Sequence, residues 1–274
     1  MLKIAIIGCG YVGKALASRW KSLGHHVTGT TRSFDKMGSI LEHCQKAEVL
    51  HSDDTDKLTQ IVNENDVIAL TIAADNPEDY EKVYLKTAQN LKSCAKNITS
   101  KKLFYTSSTF VYGNHNGKWV DENSSLLNNT EPGKILIETE KTLASLQNMG
   151  WDVMIFRLSE IYGPDRTLSE RVKKYQGSTL SGSGDNYTNM IHLDDIVEAF
   201  TYALNHKLNG IYNLADDEHP VRSELYKQIC DRFKYKPIKW DPLIKTLRSG
   251  NKRVSNHKIK STGYTFIHLE RIID

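Results

Sequence analysis

The residues with the plainest chemical meaning stand near the start of the chain. Gly8-Cys9-Gly10-Tyr11-Val12-Gly13 has the Gly-x-Gly-x-x-Gly spacing of a dinucleotide-binding turn. That chemistry needs three glycines. One permits a tight turn, one lets backbone approach a pyrophosphate, and one lets a helix pack closely on a strand. The amides around Tyr11, Val12 and Gly13 then open a helix whose dipole favours the phosphates. Further on, Thr31-Arg32-Ser33 closes a second strand-like segment. An NAD site carries a carboxylate near this point to hold the ribose hydroxyls, and none stands between Val27 and Phe34. Arg32, flanked by the hydroxyls of Thr31 and Ser33, suits a 2′-phosphate instead. The expected cofactor is therefore NADP(H), in preference to NAD. Asp53 either accepts from the adenine amino group or shares a helix cap with Asp54. Ala73-Ala74 are small enough to let backbone come close to the same ligand.

These residues need particular elements to position them. Lys3–Ile7 is an apolar run ending at glycine, as a buried parallel strand would. Val12, Leu16, Trp20 and Leu23 share a helical face that Gly24 closes. Strand-like runs recur at 26–30, 47–50, 66–72, 103–106, 151–158 and 211–214, with helical patterns at 77–95, 135–149, from 194 and from 221. Strand–helix alternation of this kind predicts an α/β Rossmann-type doubly wound parallel sheet. After Pro164 the character changes: 176–188 is rich in Gly, Ser and Thr, and the tail from Lys234 is basic and irregular. Residues 1–163 are expected to form the nucleotide-binding domain. Residues 164–274 are expected to form a smaller substrate-binding domain interleaved with it.

Composition excludes several classes. A net charge of +3 on 274 residues, with no basic block, argues against a nucleic-acid binder. No run of about 18 apolar residues predicts a membrane span. Cys9, Cys44, Cys94 and Cys230 lack metal-ligand spacing and follow no secretory signal, so they are expected to be reduced thiols in the cytoplasm. Cys9 reads as a small turn residue or as a reactive thiol at a helix start. The ten histidines are scattered, and no metal site is expected.

Downstream landmarks carry a resemblance. Thr106-Ser107-Ser108-Thr109-Phe110-Val111-Tyr112-Gly113 and Arg157-Leu158-Ser159-Glu160-Ile161-Tyr162-Gly163-Pro164 are similar to motifs of the extended and atypical short-chain dehydrogenase/reductases, the superfamily of nucleotide-sugar epimerases and dehydratases. Met190-Ile191-His192-Leu193-Asp194-Asp195 and Tyr212-Asn213-Leu214-Ala215-Asp216-Asp217-Glu218 match two further landmarks. Lys252-Arg253-Val254-Ser255-Asn256 resembles the YeeZ-like subgroup. The resemblance implies that Ser108 is the active-site hydroxyl beside the nicotinamide, orienting a substrate carbonyl or alcohol. It also implies a small-molecule, sugar-like substrate and allows a homodimer.

One departure bears on catalysis. The superfamily's proton relay is Tyr-x-x-x-Lys, in which lysine lowers the tyrosine's pKa. Here Pro132 stands where tyrosine is expected and Leu136 where lysine is expected, and no such pair occurs between Lys118 and Met149. Tyr112, Glu160 or an ordered water would have to move the proton, with Glu160 and His192 also candidates for substrate contact. Thr109 and Phe110 occupy the places of a dehydratase's acid and base, which disfavours elimination. Asp194 and Asp195 are expected to cap a helix. Two readings stay open: an oxidoreductase or epimerase, and a non-catalytic NADP(H)-binding sensor or scaffold.

Overall fold

A computed structural model describes residues 1–96, 98, 101–244 and 250–274. The chain divides into two units, each made of three segments. The first comprises Met1–Ser108, Asn129–Arg157 and Val197–Tyr212, and the second Thr109–Asn128, Leu158–Ile196 and Asn213–Asp274. The sequence reading put a boundary after residue 163, with the two domains interleaved. By contacts the chain passes between the units five times, because the segment after Ser108 joins the second unit and a later helix returns to the first.

The first unit is built on a seven-stranded sheet. Its strands are β1 (Lys3–Ile7), β2 (His26–Thr31), β3 (Lys46–Val49), β4 (Val67–Leu70), β5 (Lys102–Ser108), β7 (Asp152–Leu158) and β11 (Gly210–Leu214), the last running two residues into the second unit. The order across the sheet is β3-β2-β1-β4-β5-β7-β11. The β1–β2, β1–β4, β2–β3 and β4–β5 pairs are parallel. All of Val67–Leu70 is buried, as a central strand covered on both faces requires. Neighbouring residues on β5 serve opposite faces. Tyr105 joins a core with Ile7, Leu58, Leu70, Leu91 and Leu143. Phe104 joins a chain of rings through Trp20, Phe200 and Phe156.

Helices α1 (Tyr11–Ser22), α2 (Met37–Leu41), α3 (Thr55–Glu64), α4 (Thr87–Ala95), α5 (Glu131–Ala144) and most of α7 (Leu193–Asn205) belong to this unit. Asp54 caps α3 by accepting from the Lys57 amide. The helix expected over 77–95 is present, with Tyr80, Lys86 and Thr87 in helical conformation, but its hydrogen-bond pattern changes along it. A short 3-10 turn (Pro77–Asp79) and a π-turn (Glu81–Lys86) precede α4. Helix α5 starts four residues earlier than its apolar periodicity suggests. Thr130 caps it by accepting from the Gly133 amide, and Pro132 fits the first turn, where an amide hydrogen has no intrahelical use.

The second unit uses short parallel pairs. They are β6 (Trp119–Val120) with β13 (Arg253–Val254), β8 (Glu160–Tyr162) with β10 (Met190–His192), and β9 (Thr179–Ser181) with β12 (Lys239–Asp241). Helices α6 (Leu168–Lys173), α8 (Arg222–Phe233) and α9 (His257–Lys260) accompany them. Its core packs Tyr162, Leu168, Val172, Met190, Leu225 and Ile229. The tail read as irregular is anchored by Arg271. Its guanidinium binds Asp216 at 2.6 and 3.0 Å, Thr188, and the Glu218 carbonyl.

Candidate functional site

The sheet order reverses between β1 and β4, and in open α/β sheets ligands sit beyond the strand ends at such a reversal. Gly8 follows β1 there with φ of +87°. A Cβ on Gly8 would stand 2.8 Å from the Ile72 Cα, and one on Gly13 would stand 2.8 Å from Thr71 Oγ1 and 2.9 Å from the Gly8 carbonyl oxygen. Both glycines are therefore demanded by packing of the loop on the residues after β4. Gly10 differs. A Cβ there would meet nothing within 4 Å, so its backbone faces open space. The turn is held from below: Cys9 N–H donates to the Thr30 carbonyl (2.8 Å) and Thr71 Oγ1 to the Gly8 carbonyl (2.8 Å). No side chain caps the start of α1, and the amides of Val12 and Gly13 lie in a first turn that the helix ladder does not use.

Thr31, Arg32 and Ser33 follow at the end of β2. The Thr31 hydroxyl accepts from the Ser33 amide. Arg32 is half-exposed and paired with Asp75 at 3.0 Å. This carboxylate sits just past β4 and was not anticipated. Asp54 takes the α3 cap and leaves Asp53 at the surface. Ala73 is exposed, and the Ala74 amide donates to Tyr84 Oη at 3.2 Å. Cys9 is 5% exposed, and burial pushes its thiol up to about 12. A protonated thiol is a small apolar group, and the burial of Cys9 favours its reading as a turn residue over that of a reactive thiol.

Ser108 ends β5. The residue before it, Ser107, is buried and donates to Glu140 Oε1 at 2.5 Å. Glu140 also receives two bonds from the buried Arg157, at 3.0 Å from Nε and 2.7 Å from Nη2. This triad ties β5 to α5 and β7. The sequence offered Arg157 as a motif residue, without showing that it pairs with Glu140. Pro132 lies in the first turn of α5, and Leu136 is 4% exposed in the core.

Within the second unit, Tyr112 is fully buried and its hydroxyl donates to Asn213 Oδ1 at 2.7 Å. The Asn213 amide in turn donates to Glu122, whose carboxyl burial pushes up. The candidacy of Tyr112 as a proton carrier meets a physical obstacle: a hydroxyl with no solvent exposure, already committed as a donor. Glu160 is exposed and ion-paired with Arg171 at 2.6 Å. His192 is buried against Tyr162, its ring at 5.0 Å. Burial and the nearby His268 lower its pKa. His192 Nδ1 accepts from the Asp194 amide at 3.2 Å, so the histidine serves the start of α7. Asp195 does not cap as expected. It reaches the Ile267 and His268 amides and fastens the C-terminal segment.

Lys252 is a buried cation that sequence reasoning missed. It was noted only within a motif. Its side chain is nine-tenths buried, and among the described residues it forms no ion pair. Nζ lies 3.4 Å from the Gly113 carbonyl oxygen, and burial lowers its pKa to about 8. The chain around it is rigidly set. Asn251 accepts from the His115 and Gly117 amides, and the Lys252 carbonyl accepts from Asn189. Gly113 stands five residues along the chain from Ser108.

Comparison with known proteins agrees with this geometry. Residues 4–215 match the model of the NAD dependent epimerase/dehydratase family. The chain belongs to that family. Protein YeeZ of Escherichia coli K12 is a similar member, 31% identical over 239 residues, covering 84% of this chain and 83% of its own. A solved structure from Methylobacillus flagellatus, assigned to the NAD-dependent epimerase/dehydratases, superposes with TM-score 0.77 at 26% identity over 98% of this chain and 94% of that one. A UDP-glucose 4-epimerase from Thermus thermophilus, solved with NAD, shares the fold at TM-score 0.82 and 17% identity, covering 97% and 94%. Among the described residues of this epimerase/dehydratase-family chain, no helix is long and apolar enough to cross a membrane.

Proposed function

We propose that this family member is an NADP(H)-dependent oxidoreductase or epimerase acting on a carbonyl or hydroxyl of a sugar-like substrate without the Tyr-x-x-x-Lys relay. The observation that carries the reading is the loop at the sheet reversal: Gly8 and Gly13 closed by packing, Gly10 open. A pyrophosphate fits where Gly10 presents bare backbone at the start of α1. Thr31, Arg32 and Ser33 support a 2′-phosphate. The Arg32–Asp75 pair is exposed, so exchanging the carboxylate for a phosphate costs little. Asp53, Ala73 and Ala74 line the adenine and ribose side in this reading. The bound dinucleotide would supply or accept hydride.

The chain's own residues then handle orientation and the proton. Ser108 orients the substrate oxygen. The buried Glu140–Arg157 pair holds Ser107, and through it the end of β5, in place. Tyr112 fixes the following turn through Asn213. Glu160 and His192 remain substrate-side candidates, with Arg171 setting the Glu160 carboxylate. Lys252, desolvated and held near 8, has the acid–base range of a proton carrier close to neutrality.

The test has two stages. Calorimetric titration should show NADP(H) binding tighter than NAD(H). A panel of UDP-sugars and simple carbonyl compounds should then reveal turnover that falls about 100-fold in Ser108→Ala, as expected when the group that orients the reacting oxygen is removed. Pro132 and Leu136 favour a second reading, a non-catalytic NADP(H)-binding sensor. Tight binding with no turnover on any substrate, together with cofactor-dependent capture of a partner, would support it.

A further inference from the structure

His192 and His268 are 76 residues apart in sequence, and the fold sets their rings 3.9 Å apart in the second unit. Asp194 stands beside both. Its Oδ2 lies 3.4 Å from His192 Nδ1 and 3.0 Å from His268 Nε2, and all three potential ligand atoms lie within 4.8 Å of one another. We propose that His192 Nδ1, His268 Nε2 and Asp194 Oδ2 form a binding site for one divalent zinc-like ion, with water in the fourth position.

Three features support the site. First, metal–nitrogen and metal–oxygen bonds of about 2.0–2.1 Å at tetrahedral angles put neighbouring ligand atoms ~3.4 Å apart. The Asp194–His192 separation matches that value and the Asp194–His268 separation is slightly shorter, so both carboxylate contacts need little rearrangement. Second, the protonation states are favourable. His192 Nδ1 accepts the Asp194 amide hydrogen, which makes it the unprotonated ring nitrogen that a metal requires. That bond is long, at 3.2 Å, and the ion competes for the same lone pair. On His268 the hydrogen shared with Asp194 Oδ2 is the one an ion displaces, moving to Nδ1. Third, the ligands are pre-positioned by separate anchors. Tyr162 packs against His192, Asp194 is in the first turn of α7, and Asp195 holds the His268 amide at 3.3 Å. The ligand set, two imidazoles and one carboxylate, favours zinc and its transition-metal neighbours over magnesium or calcium. Bound there, the ion would clasp the C-terminal segment to the start of α7.

The proposal is independent of the nucleotide-binding reading. The experiment takes the full chain stripped with EDTA and titrates it with zinc alone against a chromogenic competitor. In parallel, cobalt(II) is added and its visible spectrum recorded. We expect one zinc per chain and the intense bands of four-coordinate cobalt. His268→Ala and Asp194→Asn should each weaken zinc by more than the ~10–100-fold that outer-shell changes cost. Zinc should also raise the melting temperature of the wild type and not of His268→Ala, by mass action on the folded state. The His268 backbone amide persists in the alanine variant, so the tether to Asp195 survives, and matching circular dichroism checks the fold. Less than a tenth of an equivalent of zinc, or unchanged affinity in both variants, would overturn the site.

Discussion

Replacing Arg157 with methionine tests whether the buried triad beneath Ser108 holds the strand end. Arg157 and Glu140 are each only 3% exposed, and the guanidinium gives the carboxylate two bonds while Ser107 gives a third. Arg157→Met leaves Glu140 charged in the interior with one hydroxyl for company. Removing one partner of such a pair costs about 3–5 kcal/mol. For a protein near this size each kcal/mol moves the melting temperature by roughly 2–4 °C, so the expected drop is about 6–20 °C. Ser107→Ala should lose less, about 1.5–3 kcal/mol, because it removes one charge-assisted bond and leaves the ion pair. The double variant Glu140→Leu with Arg157→Met should recover most of the loss, since an apolar pair of similar volume needs no compensation. Urea denaturation followed by circular dichroism gives the four corners of the cycle. If Arg157→Met costs under about 1 kcal/mol, or the double variant is as unstable as the sum of the singles, the triad is not the clamp described.

Four further outcomes follow from particular residues. Gly10→Ala should leave stability within about 0.5 kcal/mol of wild type, since its Cβ meets nothing, yet calorimetry should show dinucleotide binding sharply weakened. Arg32→Ala should reduce NADP affinity more than NAD affinity, and equal losses would remove the 2′-phosphate role. Lys252 has a folded pKa near 8 against an ordinary 10.5, so the folded chain binds fewer protons between those values. The cost of its buried charge is fully present below pH 8 and fades as pH rises towards 10.5. Lys252→Met should therefore melt higher than wild type at pH 7, with the gap closing by about pH 10.5. His219 is held down to about 4 from 6.5, chiefly by burial. Its contribution is present above pH 6.5 and is lost as pH falls towards 4, so the wild type's advantage over His219→Gln in urea midpoint should shrink across that window.

The loop and the sheet were legible because their signals are local. Three glycines within six residues, after one apolar run and before one helical face, can be read without knowing any distant contact. The change of hydrogen-bond pattern within the 77–95 helix was not legible, because apolar spacing does not distinguish a π-turn from α-helix over one turn. The α5 start was misplaced for a similar reason: Thr130 and Pro132 set it, and periodicity begins later. What sequence could not give are pairings across long separations. Glu140 with Arg157, Arg271 with Asp216, and His192 with His268 are each chosen by the fold, and their residue types alone are compatible with a solvated surface. Lys252 belongs with them. A lysine in a basic tail reads as exposed, and only the packing of 113–117 against 250–254 buries it.

The five passages of the chain between its units also bear on synthesis. When residue 108 leaves the ribosome, strands β7 and β11 of the seven-stranded sheet do not yet exist. At about 5–20 residues per second, β11 is complete roughly 5–20 s later. Until β7 is complete at residue 158 the β5 edge, with Phe104 and Tyr105 awaiting their neighbours, is open to wrong partners, and from then until β11 the β7 edge takes its place. Nascent chains stalled between residues 108 and 210 should accordingly be the ones that recruit chaperones, and neither unit can be expressed as one uninterrupted fragment.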